Sequence, residues 1–295
     1  MTAEAYMLNV EGKSIRITHP GKVMFPEKGY TKRDVVDYYL AVKEILLKIN
    51  AGRPSVFVRY PQGAGGYSFF QKNVPAHHPG WMEIVRMGKH KLVDYLVING
   101  IAGLIWFVQM HTLEFHVLNI RKPHWESPDL MVFDLDPPAG ASFVEVRDFA
   151  LEIKPVLEAL GYRPFVKTSG KRGVHIVCPV LQKYTVHQVF KAAEDVAKKI
   201  IERFPRQATL ELRKDKRASR FLVDIYRNRA FQTFSMPLGL RATPQAAVSM
   251  PLDWDELKAL KNPFVFNIKT VPEYLRKKSV AWADMSAHAT RLHVI

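Results

Sequence analysis

The order of helix starts and apolar runs between residues 130 and 225 constrains the fold more than any other feature of this chain. A capping box opens one predicted helix at Ser142, which should end at Gly161, and Thr185 opens another that reaches about Arg203. Apolar runs at residues 130–135, 163–168, 174–180 and 220–225 predict four strands. The resulting order is that of a split βαβ unit, which places its first and last strands in one sheet.

Other segments predict further helices and strands at irregular intervals. Thr31 opens a helix that runs to about Asn50, and Asp253 and Thr270 open two shorter ones. Further strands are expected at residues 55–59, 92–97 and 113–118. This irregular alternation predicts an α+β fold of mixed β-sheets flanked by helices, rather than a doubly wound parallel sheet.

Three acidic residues lie in the apolar strands of the split βαβ unit. Asp134 and Asp136 are two positions apart, so on a strand they share a face, and Asp224 lies in the last strand. Carboxylates held together repel each other unless a cation lies between them. An isolated pair of acids would more often cap neighbouring backbone, but three converging acids could hold two Mg²⁺ or Mn²⁺ ions for phosphoryl transfer.

A turn rich in glycine and basic residues lies between the two middle strands. Its sequence, Ser-Gly-Lys-Arg-Gly at residues 169–173, lacks the spacing of a Walker motif. Alone it predicts a basic turn between strands. Glycine permits close approach of the backbone, and the positive charge suits a triphosphate. Together with the three acids, the turn therefore favours a metal-dependent nucleotidyl-transfer site.

The charge balance of the chain indicates a polyanionic partner. Lys and Arg number 43 against 28 Asp and Glu, which leaves a net charge of +15 spread along the sequence. Nucleic acid is the leading candidate for that partner. The one cysteine, Cys178, excludes an internal disulfide and a cysteine-cluster zinc site. No apolar run is long enough to span a membrane, so we expect a cytoplasmic protein with no membrane partner.

Several short segments, taken in order, carry a resemblance to a known family. They are residues 22–32 (KVMFPEKGYTK), 69–73 (FFQKN), 114–116 (EFH), 133–137 (FDLDP), 169–175 (SGKRGVH) and 224–227 (DIYR). This set resembles the archaeo-eukaryotic primase superfamily. It most closely resembles the polymerase domain of prokaryotic non-homologous end-joining, of the type usually found within bacterial DNA ligase D.

The resemblance implies a primase-polymerase catalytic core whose split βαβ unit is RRM-like. It implies a nucleotidyltransferase, a template-dependent DNA or RNA polymerase that fills and extends broken DNA ends. The expected cofactor is Mn²⁺ or Mg²⁺ in a two-metal site, without zinc, and the expected substrates are NTPs or dNTPs, with ribonucleotides favoured. The expected partners are DNA with 5′-phosphorylated gaps or breaks, Ku and a DNA ligase, in a prokaryotic cytoplasm at the nucleoid.

Roles for individual residues also follow from the resemblance. The catalytic set is Asp134, Asp136, Asp224 and His116, with the three acids as metal ligands. The candidate nucleotide-binding residues are Ser169, Arg172, His175, Arg241 and Arg227. The candidate DNA-binding residues are Lys22, Lys32, Arg59, Phe69, Phe70 and Lys72. Because neighbouring strand residues point opposite ways, we expect one of the two phenylalanines in the core and the other exposed to bases.

The phosphate pocket expected at Lys22 and Lys32 adjoins the start of the first long helix, whose backbone N–H groups could add to it. Many relatives carry Asn where this chain has His19, so the detail of that pocket differs here.

We expect residues 1–295 to form a single catalytic domain. Its parts would be a DNA-binding part at about 1–110, a palm-like catalytic part at 111–245 and a helical tail at 246–295. No Lys-x-Asp-Gly ligase motif is present, so we expect a stand-alone polymerase or an excised domain. Two alternatives remain open: a metal-dependent nuclease or phosphoesterase that uses the same acids, and a catalytically silent nucleic-acid-binding module.

Overall fold

The long helices begin at the residues whose side chains cap them. In this computed structural model, which describes residues 5–293, the hydroxyls of Thr31, Ser142 and Thr185 each accept a hydrogen bond from a backbone N–H three residues on. The helices are α1 (Lys32–Asn50), α2 (Ile101–Gln109), α3 (Phe143–Ala159), α4 (Val186–Arg203), α5 (Trp254–Ala259) and α6 (Thr270–Lys277).

The strands are mostly short, and the longest of them carry the predicted apolar runs. In chain order they are β1 (Ala5–Val10), β2 (Lys13–Thr18), β3 (Val23–Phe25), β4 (Tyr30–Thr31), β5 (Pro54–Arg59), β6 (Phe69–Gln71), β7 (Ile84–Met87), β8 (Val93–Val97), β9 (Thr112–Leu118), β10 (Ile120–Arg121), β11 (His124–Pro128), β12 (Leu130–Asp136), β13 (Phe165–Thr168), β14 (Val174–Pro179), β15 (Ala208–Thr209), β16 (Phe221–Asp224), β17 (Thr233–Ser235) and β18 (Pro251–Leu252).

Two helix starts differ from the expectation. Thr270 is the first residue of α6 rather than its cap, because the side-chain carbonyl of Asn267 accepts the backbone N–H groups of Lys269 at 3.0 Å and Thr270 at 3.3 Å. Helix α2 was not predicted, since its residues are apolar almost throughout and show no helical periodicity.

The described residues divide into two compact units. The first comprises residues 5–118, 235–249 and 264–279, and the second comprises residues 119–234, 250–263 and 280–293. This division into compact units does not show which part of the chain binds DNA. The three functional parts expected from the sequence therefore stay a prediction.

The second unit contains the split βαβ arrangement. Its sheet has the order β15-β16-β12-β14-β13-β18, so the first and last strands of the predicted unit, β12 and β16, are neighbours. Strand β12 pairs antiparallel with both β14 and β16, and helices α3 and α4 pack against each other and against β12. The predicted topology is therefore confirmed, and it brings distant parts of the sequence together in the centre of one sheet.

The first unit is built on a second sheet, in which β5 pairs antiparallel with β6, β8 and β9, and β7 pairs antiparallel with β8. Its sheet has the order β17-β9-β5-β8-β7, with β6 paired to β5. Of the residues of β17, Ser235 belongs to this unit. Phe57 on β5 stacks on Phe107 of α2 at 3.6 Å between ring centroids, so aromatic packing fixes the helix to the sheet. Both units thus have the α+β architecture expected from the sequence.

Within residues 5–293, no helix combines the length and the apolar composition needed to cross a membrane.

Candidate active site and nucleic-acid-binding residues

Four ionisable residues form a row straight across the sheet of the second unit. The strand register places Asp224 opposite Asp134, Asp134 opposite His175, and His175 opposite Lys167. Directly opposed residues on antiparallel strands project from the same face. The row therefore runs over β16, β12, β14 and β13 on one side of the sheet, with two acids at one end and an amine at the other.

The two acids of the row share one arginine. Arg227 places Nε 3.3 Å from Asp134 Oδ2 and Nη2 3.3 Å from Asp224 Oδ2. Both carboxylates are 7% exposed. Although burial alone would lower the pKa of Arg227, the neighbouring carboxylates raise it. Burial acts to raise the pKa of Asp134, but His175 and Arg227 hold it well below its ordinary value. A cation therefore lies between two acids, and here it is a side chain.

Asp136 is compensated less than Asp134, since the charges of Arg227 and Arg217 lower its pKa by less than burial and the other acids raise it. Burial, followed by the nearby charges of Asp134 and Asp224, raises the pKa of Asp136 to about 6. Burial likewise raises the pKa of Asp224, and the charge of Asp134 adds to the effect. The strand end thus concentrates more negative charge than its basic neighbours neutralise.

His175 connects the acids to the other half of the row. Its Nε2 lies 3.3 Å from Asp134 Oδ1. Burial lowers the pKa of His175 to about 4, so the imidazole is neutral at pH 7 and Nε2–H donates to Asp134. The remaining nitrogen, Nδ1, is buried and has no hydrogen-bond partner among the described residues. A buried acceptor without a partner carries a free-energy cost unless a ligand or water donates to it.

Lys167 ends the row and is fully buried. Its ammonium lies over the Phe234 ring at 5.8 Å from the centroid, and it donates to the Thr168 carbonyl at 3.4 Å. A buried ammonium is costly unless negative charge or acceptors compensate it. Its charge lowers the pKa of Asp134, so part of that compensation comes from the acids of the same row.

The glycine-bracketed turn joins β13 to β14 beside these residues. Ser169 Oγ accepts the backbone N–H groups of Lys171 at 3.2 Å and Gly173 at 3.0 Å, so the hydroxyl closes the turn. A Cβ at Gly173 would lie 2.9 Å from the Leu135 carbonyl oxygen, between the two acids of β12. Only glycine therefore permits this approach. Arg172 is exposed and donates to the Ala141 carbonyl at 2.9 Å, so its charge can turn toward a phosphate.

The donor chemistry of this site fits Mg²⁺ or Mn²⁺, which bind carboxylate oxygens. Burial is the largest cause of the raised pKa of Asp136, and the charges of Asp134 and Asp224, which a cation would neutralise, add to it. Across residues 5–293, however, no group of three or more His, Cys, Asp or Glu side chains is arranged so that it could hold a metal ion. Arg227 bridges two of the three acids instead. The metal ions therefore stay a prediction, with Asp134, Asp136 and Asp224 as the residues that would hold them.

In the first unit, two of the predicted residues, His116 and Arg241, lie beside the carboxylate of Glu114. His116 Nε2 and Arg241 Nη2 lie 3.2 Å and 3.1 Å from the same carboxylate oxygen, Oε2 of Glu114. The Phe70 ring stands 6.0 Å from the His116 ring, edge toward face. His116 and Arg241 are therefore neighbours, although they are far apart in the sequence.

The predicted aromatic platform is exposed on one side. Phe70 is 50% exposed, as expected for a base-stacking residue. Phe69 is half-buried rather than in the core, since it lies under the Arg59 guanidinium at 5.2 Å and beside the Tyr67 ring at 6.0 Å. Arg59 itself donates to the Met110 carbonyl at 2.8 Å. Lys72 follows β6 and is exposed.

A cavity of about 420 Å³ lies where the sequence predicts a phosphate pocket, and it is lined by His19, Pro20, Gly21, Lys22 and His111. Burial and the surrounding positive charges lower the pKa of His111 to about 4. Both histidines have a left-handed backbone, with φ of 50° at His19 and 66° at His111. Such a backbone is uncommon outside glycine.

Lys32 and the start of α1 differ from the expectation. The Lys32 side chain is fully buried, and its ammonium donates to Thr18 O at 2.7 Å and Gln109 O at 3.1 Å. Burial, helped by Lys22, lowers the pKa of Lys32 to about 8. The helix start is closed by its capping box, because Asp34 accepts the Thr31 N–H at 2.8 Å. It therefore does not offer an open N-terminus to a phosphate.

Sequence reasoning identified the acids and the basic turn but not every residue that organises them. It did not single out Lys167, Glu114 or His111. Glu114 could have been found from its spacing, because a carboxylate two positions before a histidine on a strand shares its face. Lys167 could not, since a lysine in an apolar strand more often marks its solvent side.

Comparisons with known proteins agree with this architecture. The family model described as LigD, primase-polymerase domain, matches residues 31–282. The multifunctional non-homologous end joining protein LigD of Mycolicibacterium smegmatis is 31% identical over 251 residues, which cover 82% of this chain and 32% of that protein. The bifunctional LigD protein of Bacillus subtilis is 27% identical over 271 residues, covering 92% of this chain and 44% of its own length. The chain thus spans a third to a half of the length of these curated relatives.

One solved structure matches nearly the whole chain. It is the polymerase domain from Mycobacterium tuberculosis ligase D in complex with DNA, with a TM-score of 0.86 and 28% sequence identity. The match covers 93% of this chain and 99% of that one. By the extent of the family match and by its fold, this chain belongs to the LigD primase-polymerase domain family.

Proposed function

We propose that this chain is a template-dependent nucleotidyltransferase that fills and extends DNA ends during non-homologous end-joining, with a preference for ribonucleotides. In this proposal it acts in a prokaryotic cytoplasm, at the nucleoid, on gapped or broken DNA with a 5′-phosphate, beside Ku and a DNA ligase. The observation that carries the proposal is the row in which Asp134 and Asp224 adjoin His175 across three strands.

In the proposed phosphoryl transfer, the acids hold the metal ions and the residues of the basic turn bind the phosphates. The 3′-hydroxyl of a primer attacks the α-phosphate of a nucleotide, and pyrophosphate leaves. Arg172 is exposed and carries the fork of donors that suits phosphate oxygens. His175 Nδ1, which is buried without a partner, offers an acceptor to a ligand hydroxyl or to water. These groups can bind and orient a triphosphate next to the carboxylates.

Divalent metal ions, when bound by Asp134, Asp136 and Asp224, would supply charge neutralisation and activation of the attacking hydroxyl. The proposal therefore includes Mn²⁺ or Mg²⁺ as cofactor. The repulsion between Asp136 and the other two acids supports it, because their charges add to the larger effect of burial in raising the pKa of Asp136 to about 6.

Features of the first unit support the DNA part of the proposal. Phe70 offers an exposed ring on which a base can stack. The cavity beside Lys22 has one lysine in its wall, whose ammonium suits a terminal phosphate. The net charge of +15 supplies a general attraction to the DNA backbone. The comparison structure, a polymerase domain in complex with DNA, has the same fold.

A primer-extension assay tests the proposal. The substrate is a primed, gapped DNA with a 5′-phosphate, and the reactions supply ribonucleotides or deoxynucleotides with Mg²⁺ or Mn²⁺. We expect extension by the nucleotide that pairs with the template, with more product from ribonucleotides. Asp134→Asn is the matched negative control, since it removes one charge and little volume.

Two outcomes would contradict the proposal. Shortening of the DNA without extension would support a metal-dependent nuclease. Tight DNA binding with neither extension nor cleavage, under every nucleotide and metal combination, would support a silent binding module.

A further inference from the structure

The side chain of Glu114 lies at the centre of a buried polar cluster in the first unit. It projects from β9 and its carboxylate is 3% exposed. A carboxylate that leaves water loses several kcal/mol of hydration unless hydrogen bonds and positive charges replace it. The donors around Glu114 therefore matter to the fold as well as to the site.

Each carboxylate oxygen has more than one donor. Oε1 accepts the backbone N–H of Ala242 at 3.0 Å and lies 3.3 Å from the Tyr60 hydroxyl. Oε2 lies 3.1 Å from Arg241 Nη2 and 3.2 Å from His116 Nε2. The charge of Glu114 contributes to raising the pKa of Tyr60, after the larger effect of burial, so this hydroxyl stays protonated and remains a donor.

The two oxygens have different partners. Oε1 accepts from the backbone N–H of Ala242 and lies beside the neutral hydroxyl of Tyr60, and these contacts stabilise the fold. Oε2 meets two side chains that come from different parts of the chain, one on β9 and one in the segment 235–249. Arg241 is about one-tenth exposed, so its guanidinium has little freedom to move once Glu114 holds it.

We propose that Glu114 is a positioning residue that holds the His116 imidazole and the Arg241 guanidinium in one fixed arrangement, so that both engage the triphosphate of an incoming nucleotide together. The inference rests on the proposed function together with the roles expected from the sequence, in which His116 is catalytic and Arg241 binds the nucleotide. Fixing two donors before binding lowers the entropy lost when they meet a ligand.

Glu114→Gln separates this role from a purely structural one. The amide keeps one oxygen that can still accept from Ala242, but it loses the charge that holds Arg241 and His116. Tyr60→Phe is the matched control, because it removes one donor to Oε1 and leaves the contacts of Oε2 in place.

The measurement is the affinity for ATP with Mg²⁺, by calorimetry, on the chain bound to a gapped DNA. The primer ends in a dideoxynucleotide opposite a templating thymine, so binding is observed without chemistry. We expect Glu114→Gln to weaken ATP binding by about tenfold or more, the range for a hydrogen bond to a charged group. DNA affinity should stay the same, and Tyr60→Phe should change ATP affinity by less than about twofold.

A double-mutant cycle gives the decisive readout. If Glu114 acts through Arg241 as well as His116, the loss of ATP affinity in the variant that combines Glu114→Gln with Arg241→Gln should be smaller than the sum of the two single losses. Additive losses would overturn the inference, as would unchanged ATP affinity in Glu114→Gln.

Should Glu114→Gln fail to fold, Glu114→Asp replaces it, because it keeps the charge and shortens the reach by one methylene group. A folded Glu114→Asp variant should bind ATP more weakly than the wild type, and equal affinity would overturn the inference. If the wild-type chain binds ATP in this complex but never extends a normal primer, the proposed function is contradicted. The inference about Glu114 is then still decided by the ATP affinities of the variants. A wild-type chain that binds no ATP would overturn the inference itself.

Discussion

Asp134 and Asp224 face each other across a pair of antiparallel strands, and Arg227 contacts a carboxylate oxygen of each at 3.3 Å. The two acids would repel each other without that guanidinium. Within residues 5–293 the third acid, Asp136, has no ion pair of this kind, and burial, followed by the charges of the other two acids, raises its pKa to about 6. The three carboxylates are therefore electrostatically unequal: the pKa of Asp134 is lowered, whereas the pKa values of Asp136 and Asp224 are raised.

Asp136→Asn should abolish nucleotide addition while DNA affinity stays within about twofold of the wild type. The substitution removes a carboxylate from the predicted metal ligands but makes the DNA-binding surface no less positive. Primer extension and DNA binding at matched salt measure the two effects. Because the variant also removes charge repulsion, its melting temperature at pH 8 should be equal to or higher than that of the wild type. Robust extension by Asp136→Asn would refute the site assignment.

Arg172→Ala should raise the apparent KM for nucleotide, or lower kcat, with almost no change in melting temperature. Its side chain is exposed and makes one hydrogen bond to a backbone carbonyl. The loss should be about 1.5–3 kcal/mol if the guanidinium binds phosphate oxygens. Lys171→Ala, in the same turn and also exposed, is the control for a general loss of charge. Equal effects of the two substitutions would mean that Arg172 acts only through its charge.

Phe70→Ala should weaken binding of gapped DNA and leave the fold intact. The ring is 50% exposed, so its removal costs little packing, whereas stacking on a base contributes about 1–3 kcal/mol. Fluorescence anisotropy with a labelled gapped DNA measures the loss. Leu92→Ala is a control, because Leu92 is another exposed apolar side chain in the same unit. An unchanged dissociation constant for Phe70→Ala would assign that ring to another role.

Lys22→Ala should erase any preference for a 5′-phosphate over a 5′-hydroxyl at the far side of a gap. Lys22 lines the cavity of about 420 Å³ that His19 and His111 also line. Paired binding measurements on the two DNAs at the same salt concentration give the preference. A wild-type chain that binds both DNAs equally would reduce Lys22 to a general surface charge.

Lys32→Ala is expected to behave differently from Lys22→Ala. Its ammonium is buried and donates to Thr18 and Gln109, so its loss leaves acceptors without a partner. We expect a larger drop in the melting temperature for Lys32→Ala than for Lys22→Ala, because the Lys22 side chain is only half-buried and donates to one backbone carbonyl, that of Pro61. Thermal unfolding of both variants, alongside the wild type, checks this before any DNA measurement is interpreted.

The pH dependence of stability should contain a contribution from His111. Burial and the charges of Lys32, Lys22, Arg59 and His19 lower its pKa from 6.5 to about 4 in the folded chain. The folded state therefore binds this proton less tightly than the unfolded state does. The contribution is fully present above pH 6.5 and is lost as the pH falls toward 4.

His111→Asn should flatten the fall in melting temperature between pH 6.5 and pH 4, since asparagine does not titrate and tolerates the left-handed backbone at this position. The difference between variant and wild type is the informative quantity, because the pKa of His175 is lowered as well and that of Asp136 is raised. His90→Asn, at an exposed position, controls for the loss of a histidine. Parallel pH profiles for His111→Asn and the wild type would contradict the prediction.

The sequence was sufficient for the parts of the fold that depend on local rules. Capping residues such as Ser142 predicted the helix starts, and the split βαβ order predicted that β12 and β16 are neighbours. The sequence could not show that Arg227 bridges two acids or that Lys32 points inward. Both depend on which groups tertiary packing brings within a few ångströms, and a basic residue has the same sequence signature in either setting.

The row from Asp224 to Lys167 also restricts how the length of this chain can vary. Each member is fixed by register, so one residue added within β12 before Asp134 would turn its side chain to the other face of the sheet. The helical connections between the strands carry no such condition. We therefore expect homologous chains to differ in length at the ends of α3 and α4, while the stretch from Leu130 to Asp136 keeps a constant number of residues.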